Sequence, residues 1–169
     1  MTIGAVLARG WPVVIENDIT LPAPPDVVWD LITDWEHQDD WMLEATDFEV
    51  LGDQREGVGV RAAATISIGG IKTRDEIRVS SWEPPKRLAI EHLGWVKGMG
   101  ELHMTPLLGA NTTDPAPATH LYWREELHPP APLGVAGSIG LFAFKPMMRR
   151  IFARDLRVLA GLCRARARK

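Results

Sequence analysis

The chain has 169 residues, an apolar fraction of 46% and a formal net charge of −3. This length is typical of one domain with its own core, and the composition is that of an ordinary soluble globular protein. The lone Cys163 excludes an internal disulfide and a zinc site built on cysteines, and it fits a reducing compartment. We therefore expect a cytoplasmic protein with a loose lead-in over residues 1–12 and a single domain over residues 13–169.

The charge of the chain is unevenly divided between its body and its C-terminal segment. Residues 149–169 hold eight Lys and Arg and one acid, while residues 1–148 hold eleven Lys and Arg and twenty-one acids. A basic tail can attract nucleic acid or anionic lipid, but a solvated helix face along an acidic body is the favoured interpretation. The longest mainly apolar run, residues 133–144, is too short to span a bilayer. We expect no nucleic-acid partner and no stable membrane insertion; weak contact of the basic C-terminal helix with an anionic surface remains an alternative.

The first third of the chain predicts a strand followed by two short helical segments. Apolar and polar residues alternate from Val13 to Leu21, which indicates a half-buried strand with the polar Asn17 on its inward face. Prolines over residues 22–25 end the strand, and a short amphipathic helix follows over residues 26–34. A second short turn over residues 35–42 is rich in acids and tryptophan.

The rest of the chain predicts six more strands and one long helix. The strands cover residues 48–51, 58–68, 71–79, 88–92, 100–106 and 119–127, with turn signals at Gly69-Gly70 and Pro84-Pro85 and a long loop over residues 107–118. Apolar residues recur at three- and four-residue spacing from Met148 to Cys163, and Pro146 suits the first turn of that helix. The Gly-rich segment over residues 133–145 leads into it or forms its kinked first turns.

This order of elements resembles a known superfamily. The opening ITLPAPPDVVWDLITDWEHQDDW (residues 19–41), the turn at Trp82–Leu88 and the pair Asp155 and Leu159 are similar to the START / polyketide-cyclase (SRPBCC) superfamily. The resemblance implies an α+β helix-grip fold, a seven-stranded curved antiparallel sheet around a long C-terminal helix, with two short helices between the first and second strands. It covers residues 13–165. The superfamily includes lipid carriers, hormone receptors and aromatase/cyclases, and no shared catalytic set can be transferred.

Sequence motifs exclude several chemistries. The chain lacks the phosphate-binding, dinucleotide-binding, zinc-protease and serine-hydrolase signatures, and its five histidines are too scattered for a recognisable metal site. We predict no metal and no cofactor.

What remains is a set of polar residues on otherwise apolar strand faces: Asn17, Thr73, Asp75, His92 and Glu125. Pairing Val79 with Leu88 would place Asp75 opposite His92, with Gly100 and Glu125 following at the same level of the sheet. A carboxylate turned into an apolar interior costs several kcal/mol unless it is paired or wet. This row could be the polar end of an apolar cavity, or Asp75 and His92 could simply satisfy one another.

The predicted cavity leads to two hypotheses of function. In the first, the protein binds a hydrophobic small molecule, such as a lipid, a polyketide or an aromatic metabolite. The predicted ligand-binding residues are Asn17, Trp41, Met42, Thr73, Asp75, His92, Gly100, Trp123 and Glu125, with Trp41 and Met42 as a rim and Trp123 as a stacking wall. In the alternative, the protein is an aromatase/cyclase-type enzyme in which Asp75, His92 and Glu125 move protons and Asp75 orients His92 as the shuttle. Core packing is the competing interpretation for both tryptophans.

Overall fold

The computed structural model describes residues 10–107 and 117–166. The strands are β1 (Val13–Leu21), β2 (Ala45–Val50), β3 (Arg61–Ile68), β4 (Ile71–Glu83), β5 (Arg87–His92), β6 (Lys97–Leu107) and β7 (Ala118–His128). The helices are α1 (Pro25–Thr33) and α2 (Gly134–Arg166), with short 3₁₀ segments at Trp35–Asp40 and Ala131–Leu133. Most of the predicted lead-in and of the long loop lies outside the described residues.

All seven strands form one antiparallel sheet in the order β1-β7-β6-β5-β4-β3-β2. Its curved inner face carries the alternating apolar residues, and β1 closes the end opposite β2 by pairing with β7. The helix-grip prediction, with seven strands and two short helical segments after the first, is confirmed. In the described part of the chain, no helix is long and apolar enough to cross a membrane.

A β-bulge sets which side chains reach the inner face of the β4–β5 pair. Near the turn Trp82 lies opposite Leu88, but beyond a shift between Val79 and Ser81 the pairs are Val79 with Ile90 and Ile77 with His92. Without this extra residue, Asp75 and His92 would point to opposite faces, because a one-residue slip exchanges the two sides of a strand.

The Gly-rich segment forms the first turns of the C-terminal helix, which is one of the two alternatives that the sequence left open. The helix begins at Gly134, and Pro146 lies inside it instead of in its first turn. Proline costs a helix one hydrogen bond, and packing on the sheet compensates such a loss. The second half buries the predicted stripe, including Met148, Phe152 and Leu159, against the core.

Helix α1 closes one end of the sheet with a tryptophan cluster. Trp29 and Trp82 meet edge to face with ring centroids 4.9 Å apart, and Trp35 lies 6.4 Å from Trp82. Such aromatic pairs add to the stabilisation that comes from burial alone. Trp29 and Trp82 are therefore core residues, as the sequence predicted.

Candidate functional site

The inner face of the sheet encloses two adjoining chambers. The inner chamber is closed by the end of α1 and the segment that follows it, and the outer chamber is covered by the first half of α2. The inner chamber has a volume of about 90 Å³ and the outer chamber one of about 430 Å³. Six residues line both chambers: Met42, Ile66, Asp75, His92, Trp123 and Glu125. The polar groups therefore lie where the two chambers meet.

The chamber walls are mainly apolar. The inner chamber is bounded by small residues of β3, including Ala62 and Ala64, and by aliphatic residues such as Leu102. The outer chamber lies under the face of α2 formed by residues 136–152 and between the β3–β4 and β5–β6 turns. Its exposed lining residues, Ile71 and Trp95 among them, mark the mouth.

Three strands contribute one charged group each to a connected row, which we call the His92 row: Asp75, His92 and Glu125. The His92 Nδ1 lies 2.7 Å from Asp75 Oδ2, and its Nε2 lies 3.0 Å from Glu125 Oε2. The indole Nε1 of Trp123 donates to Glu125 Oε1 at 2.7 Å. Glu125 is only 4% exposed, so its carboxylate has little contact with water. The hydrogen bonds from His92 and Trp123 replace the hydration that it loses on burial.

The carboxylates on either side of His92 keep its ring protonated. Burial favours the neutral ring, but the negative charge of Glu125 and the hydrogen bonds with Asp75 and Glu125 outweigh it and raise the pKa of His92 to about 10. At neutral pH both ring nitrogens therefore carry hydrogens, and each donates to one carboxylate.

Strand register brings the row together diagonally. His92 pairs directly with Ile77 and with Gly98, so Asp75 and Glu125 reach it from positions two residues away. The predicted pairs of Asp75 and of Gly100 with His92 are wrong by two residues. For Asp75 the reason is that β4 continues to Glu83 and contains the bulge. For Gly100 the reason is that β6 begins at Lys97, so the turn after β5 is shorter than predicted and His92 pairs with Gly98. The even shift leaves every side chain on the predicted face.

Two glycines next to the row provide space for its carboxylates. A Cβ atom at Gly100 would lie 2.5 Å from Glu125 Oε1, and one at Gly94 would overlap Asp75 Oδ1. The sequence predicted Gly100 as a gap open to ligand, but the carboxylate of Glu125, its direct partner across the strands, occupies much of that gap.

The structure places eight of the nine predicted ligand-binding residues on the chamber walls. These are Trp41, Met42, Thr73, Asp75, His92, Gly100, Trp123 and Glu125. Asn17 of β1 pairs with Trp123 of β7 but lines neither chamber. Its buried Nδ2 has no partner among the described residues. Trp41 and Trp123 are both wall and core, since they are buried and in edge contact at 5.9 Å, and Trp123 stacks on Phe152 at 4.4 Å.

Sequence reasoning missed a second buried ionic group, which we call the Glu44 cluster: Glu44, Arg154 and Asp155. Arg154 Nη2 lies 3.3 Å from Glu44 Oε2 and 2.9 Å from Asp155 Oδ1, which also accepts from Leu43 N at 3.4 Å. Burial raises the pKa of Glu44 to about 8, and a hydrogen bond with Asp155 and its negative charge act in the same direction. The signal was present at Asp155, a carboxylate in helical register with Phe152 and Leu159 on the apolar stripe.

A curved sheet around a long helix, with a mostly apolar cavity between them, defines a helix-grip domain. The family model described as "Polyketide cyclase / dehydrase and lipid transport" matches residues 12–168. The chain belongs to this family, within the START / polyketide-cyclase superfamily. No curated protein matches it in sequence.

Solved structures share the fold at low sequence identity. The Zhui aromatase/cyclase from Streptomyces sp. R1128 superposes with a TM-score of 0.72 at 18% identity, covering 92% of this chain and 96% of that one. TTHA0849 from Thermus thermophilus gives 0.69 at 19% identity, with 90% and 98% covered. Norcoclaurine synthase from Thalictrum flavum, in complex with dopamine and hydroxybenzaldehyde, gives 0.63 at 17% identity, with 96% and 91% covered.

Proposed function

We propose that the protein binds an apolar small molecule, such as a lipid, a polyketide or an aromatic metabolite, in the two adjoining chambers on the inner face of the sheet. The observation that carries the proposal is an outer chamber of about 430 Å³ whose walls are mainly apolar and where Asp75, His92 and Glu125 converge in one row. Apolar clefts with few convergent polar groups are the usual sites for small ligands. The family description, which includes lipid transport, supports the same class of ligand.

Filling the outer chamber tests this proposal. Gly140 belongs to the face of α2 that lines the chamber, and no atom lies within 4 Å of a Cβ built on it. We expect Gly140→Trp to weaken binding of the neutral fluorescent probe N-phenyl-1-naphthylamine by about tenfold or more, because the indole occupies ligand volume. Gly161→Trp is the matched control, since Gly161 is exposed on the same helix and lines neither chamber.

Two results of the titration would contradict the proposal. One is wild-type protein that does not bind the probe, and the other is equal binding by the two tryptophan variants. Native mass spectrometry of the purified protein would identify any ligand that copurifies, and Gly140→Trp should lose that mass while Gly161→Trp keeps it.

A second candidate function is proton transfer on a bound ketone, of the kind an aromatase/cyclase performs. The observation in its favour is that the His92 row borders both chambers, so a ligand extending through them would pass it. A pKa of about 10 makes His92 a poor shuttle at neutral pH, so Glu125 is the better candidate for the general base and His92 for a fixed positive charge.

Deuterium exchange tests this second candidate. The methyl protons of 2-acetylnaphthalene should exchange in D₂O faster with the wild-type protein than in buffer, and Glu125→Gln should return the rate to that of buffer. Exchange that is no faster than in buffer, for a probe shown to bind, would argue for binding without catalysis.

A further inference from the structure

The ligand-facing polar groups of the cavity differ in whether they can still donate a hydrogen bond. Both nitrogens of His92 and the indole nitrogen of Trp123 are already directed at carboxylates. The atoms with unused capacity in the His92 row are therefore the lone pairs of Asp75 and Glu125, which only accept.

The net charge of the row also favours a ligand that donates hydrogen bonds over an anionic ligand. Two carboxylates surround one imidazolium, so the row carries about one negative charge at neutral pH. Arg74, the other cationic residue on the described walls, is paired with Glu49 and also donates to the carbonyl oxygen of Asp47 at 3.1 Å. An anionic ligand would thus lose its hydration without gaining an unpaired positive charge.

The Glu44 cluster, which also borders the outer chamber, does not supply a compensating positive charge. Glu44 lines the chamber, while Arg154 and Asp155 lie behind it in α2. With its pKa near 8, Glu44 is protonated at neutral pH, and Arg154 and Asp155 then compensate each other's charge. Neutral donors remain on the walls, namely the hydroxyl of Thr73 and the buried Trp41 Nε1, which has no partner among the described residues. They can donate a hydrogen bond but bring no positive charge to compensate a carboxylate.

We propose that the cavity selects apolar ligands that carry a hydrogen-bond donor, either a hydroxyl or a protonated amine, and excludes matched carboxylates. This inference rests on the proposed binding function and specifies the chemistry of the ligand. A hydroxyl or ammonium placed against Asp75 or Glu125 forms a charge-assisted hydrogen bond, whereas a carboxylate there meets like charge in an apolar surrounding. The selection acts at the row, where the two chambers meet.

A matched series of naphthalene ligands tests the inference. Naphthalene-2-methanol, 2-naphthylmethylamine and naphthalene-2-carboxylate differ mainly in one polar group and can be titrated by displacement of N-phenyl-1-naphthylamine near neutral pH. We expect the alcohol and the amine to bind about tenfold or more tightly than the carboxylate. A carboxylate that binds as well as the alcohol and the amine overturns the inference while leaving the binding function intact. Failure of every naphthalene and of the probe to bind overturns both.

Variants identify the source of the selectivity. Glu125→Gln removes the negative charge of the row, so we expect the ratio of amine to carboxylate affinity to fall by about tenfold. Asp75→Asn should act in the same direction, and circular dichroism shows whether each variant is folded. The matched control is Glu126→Gln, one residue along β7 on the opposite face, where Glu126 pairs with Arg124 at 2.7 Å. If both row variants keep the wild-type ratio, or if the control loses it to the same degree, the row is not the selecting element.

Discussion

The His92 row and the Glu44 cluster are both buried groups of two carboxylates and one cation, but their geometry differs. In the row the cation lies between the carboxylates and each contact is 3.0 Å or shorter. In the cluster the cation is a partly exposed arginine at one side, and Asp155 Oδ2 has no partner among the described residues. A cation between two acids attracts both of them, whereas two acids that face each other favour a shared proton.

The difference also reflects the elements that hold each group. The row is fixed by strands of one continuous ladder. Asp75 reaches His92 from the adjacent strand β4, and Glu125 of β7 reaches it across Gly100 of β6. The cluster joins the segment before β2 to α2, through Leu43 N and Glu44 on one side and Asp155 on the other. The comparison indicates that the sheet presents a preorganised charged row to the cavity, while the cluster attaches the cavity's edge to the helix. Four predictions test this contrast.

The largest effect is expected from His92→Ala. Removing the cation leaves Asp75 and Glu125 facing each other in a buried site, which typically costs about 3–5 kcal/mol of unfolding free energy. The control is His103→Ala, because His103 is 41% exposed and pairs with Glu101 at the surface, where such a pair contributes about 1 kcal/mol or less. Equal losses for the two variants in urea denaturation would show that the row is not a buried charge system.

A smaller loss of unfolding free energy is expected from Gly100→Ala, which tests whether close packing on Glu125 holds the row together. The added methyl group would lie 2.5 Å from Glu125 Oε1, so the carboxylate must move away from His92. Overpacking of this kind costs about 1–3 kcal/mol, and the pKa of His92, measured by NMR titration of its ring, should fall.

A mutant cycle separates this effect from general strain. In a Glu125→Gln background the carboxylate charge is already absent, so Gly100→Ala should change the His92 pKa much less than it does in the wild type. An equal change in both backgrounds would mean that the glycine does not act through Glu125.

The sequence predicted the composition of the row but not its contacts. Alternation placed Asp75, His92 and Glu125 on the inner face, and Gly100 opposite Glu125, because side-chain direction depends only on whether residues are an even or odd number apart. The pairing of β4 with β5 was wrong by two residues, since a bulge has no reliable signal in an alternating pattern.

The long helix and the Glu44 cluster show a different limit of sequence reasoning. Pro146 indicated a helix start because proline is favoured in the first turn, but packing of residues 134–145 above the cavity maintains a helix through it. The cluster depends on two segments 110 residues apart, and Glu44 lies in a stretch without a helical or strand period, so its burial could not be read locally.

The pH dependence of stability distinguishes the proton positions of the two groups. Folding raises the pKa of Glu44 from 4.5 to about 8 and that of His92 from 6.5 to about 10, so between about pH 6.5 and 8 the folded state binds more protons at both. Their stabilising contributions are therefore complete at low pH and are lost as pH rises through the folded values. For each proton that the folded state binds in excess, the unfolding free energy falls by about 1.4 kcal/mol per pH unit as pH rises.

Glu44→Gln should remove one of these two protons, so the unfolding free energy should fall less steeply with pH between about pH 6.5 and 8. Urea titrations from about pH 6.5 to about pH 8 measure it. The control is Glu83→Gln, because hydrogen bonds from Ser81 and Arg87 lower the pKa of Glu83, which keeps it ionised in both states throughout this range. If Glu44→Gln kept the wild-type dependence of unfolding free energy on pH, Glu44 would not be the group that binds this proton.

The smallest effect is expected from Glu44→Gln near pH 6, and its size identifies which acid of the cluster carries the proton. A protonated Glu44 is close to an amide in shape and charge and can donate to Asp155 in the same way, so the unfolding free energy should change by about 0.5 kcal/mol or less. Asp155→Asn is the contrasting variant. In the wild type, Asp155 Oδ1 accepts from Leu43 N and from Arg154. Losing these charge-assisted bonds should lower the unfolding free energy by about 1.5–3 kcal/mol. If the larger loss came from Glu44→Gln, the proton would reside on Asp155 and the cluster would present an ionised carboxylate to the outer chamber.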